Sequence, residues 1–304
     1  MRALVTGGRG FVGGYLCREL EQNGYEVINV SRRPGEGIVQ ADLMETEQLT
    51  ELLRQLSPDM VFHLSAQADV AKSWRRPQET VQSNVTAAVS LMEAVRAAIP
   101  DTHVVLVGSS DQYGDLGRAG ANVNETVETR PRTPYAVSKK AQEEMARVYV
   151  QAYGLHICMT RSFNHGGAGQ REGFLISDFA SGIVRVEKGL AQSLRVGNLT
   201  ARRDFTHVKD VVRAYRLIAE QGQPGEIYNV GSGTAYSAQE ILDRLCAMAS
   251  CPVPVEQDPA KMRPSDTPVV CCDHSKLTAR TGWEPEHTLD EILRETLAYY
   301  RATL

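Results

Sequence analysis

The sequence predicts a doubly wound α/β fold, a parallel sheet with helices on both faces, with a smaller, mostly C-terminal second domain. Three observations carry this. A short apolar strand at residues 2–6 runs into Gly7-Gly8-Arg9-Gly10-Phe11-Val12-Gly13-Gly14 and then a helical pattern over Tyr15–Gln22. Short apolar runs alternate with helical segments as far as about residue 165, the pattern of a parallel sheet with right-handed crossovers. From residue 166 onward the alternation loses its regularity.

The 304 residues suffice for one large α/β domain or two modest ones. The net charge is −4, with acids and bases interspersed. No basic stripe points to nucleic acid, and no Lys/Arg run points to a membrane surface. No apolar run is long enough to span a bilayer. Met1-Arg2 opens on the first strand with no signal-peptide pattern, so a cytoplasmic protein is expected. The six cysteines, at 17, 158, 246, 251, 271 and 272, form no Cys-x-x-Cys pair. Cys271-Cys272 with His274 falls short of the four ligands a structural zinc needs. Buried reduced thiols, and no metal, are expected.

The elements follow in order. Gly7, Gly10 and Gly13 sit between strand and helix, where glycines allow a tight turn and let a pyrophosphate approach a helix N-terminus. The context of strand, glycine turn and helix predicts dinucleotide binding, with Phe11 and Val12 opening the helix at the phosphates. The second strand, Glu26–Val30, ends in Ser31-Arg32-Arg33. An acid here holds the ribose hydroxyl of NAD, whereas arginine accommodates the extra phosphate of NADP. Arg32 and Arg33 therefore favour NADP(H), with NAD(H) as the alternative. Ile38–Ala41 is a third strand, with Asp42 and Leu43 at its end beside the adenine; Asp42 either accepts from the adenine amino group or caps the helix starting near Thr46. Met60–Leu64 is a fourth strand. It contains His63, read as a core histidine bonded to backbone, and runs into Ser65-Ala66-Gln67-Ala68. Leu64 and Ala66 there let the cofactor pass close to the backbone. Gln78–Ala98 reads as one helix, with Asn84 early in it.

His103–Val107 leads into Gly108-Ser109-Ser110-Asp111-Gln112-Tyr113-Gly114 at the carboxyl end of a strand, where ligands bind in such sheets. Ser109 is the choice for polarising a substrate carbonyl, Ser110 the second choice, and Asp111 either a second acid/base or a turn former. Pro134 suits the first position of a helix running to about Tyr153. On it Tyr135 and Lys139, four residues apart, share one face. An ammonium beside a phenol favours the phenolate, so the pair is a candidate acid/base near neutral pH. Leu155–Arg161 is a further strand. Beyond it, helices are expected at Gly173–Lys188, in the residues following Asp210 through Glu220, at Ser237–Met248, Ser275–Arg280 and Leu289–Arg301. A short strand is expected at Leu194–Val196, and Glu226–Val230 returns to the sheet. Gln257–Asp266 is a loop containing Arg263, and Arg203 and Asp204 read as a local ion pair. The domain division is 1–165 with 205–235 returning to it, against 166–204 plus 236–304.

Taken together, Thr6–Gly13, His63–Gln67, Ser109 with Tyr113-Gly114, Tyr135-Ala136-Val137-Ser138-Lys139, Arg161-Ser162-Phe163-Asn164-His165, Arg203-Asp204-Phe205 and Tyr228-Asn229-Val230 resemble the extended short-chain dehydrogenase/reductases that act on nucleotide sugars. Within that group the chain is most similar to the GDP-4-keto-6-deoxy-mannose reductases, through residues 257–265, Thr281–Pro285 and Val196–Leu199. The loop Gly166–Gln170 is also reductase-like, although Ala168 stands where the reductases usually have Pro. The resemblance implies Ser109, Tyr135 and Lys139 as the catalytic set with Asp111 near the sugar. It implies that Asn164, Arg203 and Arg263 hold a GDP-sugar, which reverses the ordinary expectation that a loop arginine is solvated. It implies NADPH-dependent reduction of a C4 ketone and a homodimer through the Tyr135 helix and the one before it. A 4,6-dehydratase or 4-epimerase on the same scaffold, or a non-catalytic NADP-binding regulator, are the competing readings.

Overall fold

The computed structural model describes residues 1–114, 122–261 and 268–304. Seven parallel strands form the main sheet: β1 (Arg2–Thr6), β2 (Glu26–Ser31), β3 (Ile38–Gln40), β4 (Met60–His63), β5 (His103–Val107), and two strands introduced below. A two-residue strand, β6 (Asn122–Val123), leaves this sheet for a second one. β7 (Ile157–Ser162) pairs with β5, and its continuation β8 (Asn164–Gly166) pairs elsewhere, with β10 (Arg202–His207). A two-stranded ribbon joins β9 (Leu194–Val196) to a strand near residue 256. β11 (Ile227–Val230) closes the main sheet beside β7, giving the order β11-β7-β5-β4-β1-β2-β3.

Alternation of side chains on these strands builds a core on each face. Ala3 and Val5 point to one side, with Phe62 and Val105. They meet α1 (Phe11–Gln22), through Leu16 and Leu20. Leu4, Val61, Val104 and Leu106 point to the other side. There they meet α2 (Thr46–Leu56), which buries Leu49 and Leu53.

A short α3 (Val70–Arg75), which the sequence reading lacks, precedes the Gln78–Ala98 segment. Gln78–Ala98 is helical throughout, as expected, but not uniformly so: α4 (Pro77–Val81) runs through a single π-helical turn over Gln82–Thr86 into α5 (Ala87–Ala98). The turn widens where Asn84 is drawn to partners outside the helix. Its Nδ2 donates to Gln67 O at 3.1 Å and Ser138 Oγ at 2.9 Å, and its Oδ1 accepts from the Gln67 N–H at 2.7 Å. α6 (Pro134–Tyr153) starts with Thr133 Oγ1 accepting from the Ala136 N–H at 3.0 Å and stops at Gly154.

The second half supplies α7 (Leu175–Glu187), α8 (Val208–Gln221), α9 (Ala238–Ala247), α10 (Ser275–Thr281) and α11 (Leu289–Thr303). α8 returns to the main sheet and packs Val211, Tyr215 and Ile218 onto the Ala3 face. α7, α9 and α11 enclose a third core of Phe179, Ile183, Ile241, Leu245, Ile292 and Leu297. Capping boxes at Ser237/Glu240 and Thr288/Glu291 start α9 and α11. Three strands complete the count: β12 (Ala235–Ser237), β13 (Val255–Gln257), which pairs with β9, and β14 (Val269–Cys272). The second sheet runs β12-β10-β14-β6, with β8 on β10. Its strands are short and rich in polar residues, such as Asn-His-Gly in β8 and Arg-Arg-Asp in β10. They lack the apolar alternation that marks a strand in a sequence, and the segment before α8 was therefore not read as one.

Candidate active site

The glycine turn lies between β1 and α1. The Gly10 N–H donates to Gly7 O at 2.9 Å, which closes the turn, and Gly7 takes a φ of +79° that favours glycine. A Cβ on Gly13 would run into the Gly7 carbonyl. α1 therefore seats directly on the turn, and it begins at Phe11 with no side chain capping its first N–H groups. Those donors, with the helix dipole, form an anion site. A Cβ on Gly7 would also crowd the backbone at Leu64 and Ser65, so the segment leading to Ala66 forms the opposite wall. Arg32 and Arg33 are exposed at the end of β2. The structure adds a third cation that the sequence reading passed over. Arg9 reaches across the cleft edge, and its Nη1 donates to Pro34 O at 3.0 Å. These features fit a dinucleotide with an additional phosphate. Asp42 does not cap α2; its Oδ1 accepts from the Met44 N–H at 3.0 Å in a local turn, and Glu45 precedes the helix without a side-chain cap. Leu43 follows it, half-buried. His63 is buried as expected, but its partner is a side chain: Nδ1 shares a hydrogen bond of 2.9 Å with Thr6 Oγ1.

The chemistry-bearing groups meet at the carboxyl end of β5. Ser109 starts a 3₁₀ turn over Ser110–Tyr113, with its Oγ accepting from the Asp111 N–H at 3.2 Å. Ser110 is buried behind it, which leaves Ser109 as the serine at the opening. Ser109 and Asp111 both lie close enough to the Tyr135 hydroxyl to act on that phenol. The structure thus brings Ser109, Asp111 and Tyr135 together, but the electrostatic expectation for Tyr135 does not hold. Burial, followed by the Asp111 carboxylate, raises the phenol well above its ordinary value, against a smaller opposing effect of Ser109. Lys139 is turned away: its Nζ donates to Val107 O at 2.7 Å and to Gln142 Oε1 at 3.0 Å. Burial lowers this ammonium to about 7. Gln142 was absent from the sequence reading. Its position three residues after Lys139 on a helix face was the available signal.

Asn164 and Arg203 lie on adjoining strands of the second sheet, where Asn164 is in register with Phe205, two residues beyond Arg203. Arg263 lies outside the described residues. Asp204 is not simply half of a surface pair. It is 1% exposed, and its carboxylate accepts from the N–H groups of Ser232, Gly233 and Cys272 and from Ser232 Oγ. It thereby ties β10 to β14 and to the turn after β11. The loop Gly166–Gln170 is pinned by Tyr15, whose hydroxyl donates to Ala168 O at 3.0 Å, and by Tyr300, whose hydroxyl donates to Gln170 O at 2.8 Å. Cys271 and Cys272 are buried thiols. Among the described residues no His/Cys/Asp/Glu cluster could hold a metal ion.

The depressed ammonium has a consequence for stability. Unfolded, Lys139 keeps its proton up to its ordinary value of 10.5, whereas folded it releases it at about 7. Between these values the unfolded chain binds more protons, so stability rises with pH through that window, and the burial penalty is full below it. Lys139→Met should therefore stabilise the fold more at about pH 6 than at about pH 10, by a difference exceeding about 1 kcal/mol. Urea titrations at both pH values check this; equal effects would mean that the ammonium remains hydrated.

The family model described as GDP-mannose 4,6 dehydratase matches residues 4–296. A GDP-6-deoxy-D-mannose reductase of Pseudomonas aeruginosa is 35% identical over 98% of this chain and 96% of its own length. A GDP-mannose 4,6-dehydratase of Vibrio cholerae is 28% identical over 97% of this chain and 92% of its own. Among solved structures, that of RMD from Pseudomonas aeruginosa complexed with NADPH superposes with a TM-score of 0.90 at 33% identity, covering 100% of this chain and 99% of that one. A UDP-glucose 4-epimerase of Thermus thermophilus in complex with NAD gives a TM-score of 0.89 at 29% identity, with all of both chains covered. Matched over nearly its whole length, the chain belongs to the GDP-mannose 4,6-dehydratase family.

Proposed function

We propose that this protein reduces the C4 ketone of GDP-4-keto-6-deoxy-D-mannose to a GDP-6-deoxyhexose of the GDP-rhamnose type, with NADPH preferred over NADH. The observation that carries the reading is the approach of Ser109 and Asp111 to the buried Tyr135 phenol, at the sheet edge that also bears the glycine cradle. Reduction of a ketone needs a proton donor at its oxygen, and a phenol held protonated by burial starts in that form. The similarity to the P. aeruginosa reductase supports the same substrate class.

In this reading Gly7, Gly10, Phe11, Val12 and Gly13 hold the pyrophosphate. Arg9, Arg32 and Arg33 hold the ribose phosphate, and Asp42, Leu43, Leu64 and Ala66 line the path of the dinucleotide. Bound NADPH supplies the hydride that reduces C4. Ser109 donates a hydrogen bond to the C4 oxygen and polarises it. Tyr135 gives its proton to the same oxygen, so that the carbonyl becomes an alcohol. Lys139, leaving its contacts with Val107 and Gln142, grips the nicotinamide ribose and stabilises the phenolate that remains. Asn164, Arg203 and Arg263 hold the diphosphate side of the sugar nucleotide, where arginine's forked donors suit phosphate. The division of labour proposed is residues 1–165 with 205–235 for the cofactor and 166–204 with 236–304 for the sugar nucleotide, with β6, β8 and β10 of the second sheet reaching into the cofactor part. Buried free thiols support a reducing, cytoplasmic setting, and among the described residues no helix is long and apolar enough to cross a membrane.

Incubation with GDP-4-keto-6-deoxy-mannose should consume one NADPH per GDP-6-deoxyhexose identified by NMR, with NADH turned over at least about tenfold less efficiently. A product formed without net NADPH consumption would indicate a dehydratase or epimerase, and binding without turnover a regulator. Tyr135→Phe should lower kcat by about 10²–10⁴-fold while leaving NADPH affinity within about twofold; near-normal turnover would refute the assignment.

The α6 face opposite the core shows Val137 and Val148 about half exposed, at 51% and 52%, with Val81 of the neighbouring α4 at 46%. An apolar stripe of this kind suits a self-complementary two-fold contact. We infer a homodimer through α6 and the helix before it. Sedimentation should give twice the 33.4 kDa chain mass, and Val148→Glu should halve it; a monomeric wild type would contradict the inference.

A further inference from the structure

Gln112 is fully buried, and both ends of its amide are engaged. Oε1 accepts from the Ser109 N–H at 3.0 Å, and Nε2 donates to Glu143 Oε2 at 2.7 Å. Glu143 is 3% exposed. Arg161 grips it with both edges of its fork, Nε to Oε2 at 2.9 Å and Nη2 to Oε1 at 2.8 Å. Lys140 adds a donor at 3.2 Å. Arg161 is fixed in turn: its guanidinium lies 4.8 Å from the centre of the Tyr113 ring, and Nη1 donates to Glu125 O at 3.3 Å. Burial alone would raise the Glu143 carboxyl, but Arg161, Lys140 and Gln112 outweigh it and hold it below the ordinary range. Glu143 is thus a fixed buried anion.

The anchor has a particular location. Glu143 follows Lys139 by one turn and Tyr135 by two on the same helix. The hydrogen-bonded path from the Ser109 backbone therefore ends on the element that carries the phenol. Moving the 3₁₀ turn relative to α6 would leave the Gln112 amide without partners in dry protein and take one of its donors from Glu143, which Arg161 would still hold. Resting on the reductase reading above, we propose that Gln112, anchored by Glu143, is a positioning residue that sets the Ser109 hydroxyl against the Tyr135 hydroxyl. Its role is separate from that of the sheet, which fixes only the strand end.

The test is a double-mutant cycle. Gln112→Met nearly conserves volume and removes both hydrogen bonds. It should lower kcat about tenfold while leaving KM for the keto-sugar and Kd for NADPH within about twofold. In a Ser109→Ala background the same change should cost less than about twofold, because the hydroxyl that Gln112 places is already absent. Equal losses in both backgrounds would show a general structural defect and overturn the proposal. A second measurement needs no substrate. Amide hydrogen exchange at Ser109–Tyr113 should accelerate at least about tenfold in Gln112→Met while the strand Ile157–Ser162 is unchanged. Unaltered exchange at Ser109 would overturn the clamp directly. Should the wild type reduce no keto-sugar, the reductase reading falls, and the exchange result still decides whether Gln112 holds the turn.

Discussion

Helix Pro134–Tyr153 presses the face bearing Tyr135, Lys139 and Glu143 against the ends of the central strands, and all three groups are taken out of water together. Desolvation acts on each according to its charge. The phenol is driven toward its neutral form and the ammonium toward losing its proton, whereas the carboxylate stays ionised because Arg161 grips it. One packing decision thus sets three protonation states. It leaves a protonated hydroxyl next to Ser109, a lysine near the point of titration at neutral pH, and a permanent anion that anchors the turn between them. Mutual tuning of Tyr135 and Lys139 is not the main effect. Burial is, and it acts on the two in opposite directions.

The second sheet extends this logic to the substrate side. β8 continues β7 by only a residue and leaves the main sheet to pair with β10. Asn164 therefore follows directly from the strand beside Ser109's own, and Arg203 comes from the sheet that β10 shares with β12 and β14. Asp204 holds that junction by accepting four donors from residues 232, 233 and 272. The network places Asn164 and Arg203 on backbone continuous and hydrogen-bonded with the strand beside Ser109's, rather than on independent loops.

Much of the main sheet was legible because its strands are apolar runs bounded by glycine, and because Pro134 and the glycine turn are strong local signals. The candidates Ser109, Tyr135 and Lys139 were singled out from spacing and from their place at strand and helix ends, and the structure places Ser109 beside Tyr135 while Lys139 bonds Val107 and Gln142. What escaped the sequence depends on contacts between distant residues. The π-helical turn within Gln78–Ala98 accompanies Asn84 bonding Gln67 and Ser138, which no window of that helix contains. Arg9 joins the cation rim only through its bond to Pro34, 25 residues along the chain. The direction of the Tyr135 shift could not be read from a neighbouring lysine, since it depends on how much water the fold removes. Gln112 resembled an ordinary turn residue until Glu143 was seen two turns along another element.

The central claim is that Tyr135 is kept protonated by its burial and so stands ready as an acid. Ultraviolet difference titration of the wild type against Tyr135→Phe tests this most directly, since signals from the other tyrosines cancel. The account predicts no tyrosinate absorbance from residue 135 below about pH 10, the ordinary tyrosine value. A difference signal titrating between about pH 7 and 8 would contradict it and restore the lysine-tuned phenolate.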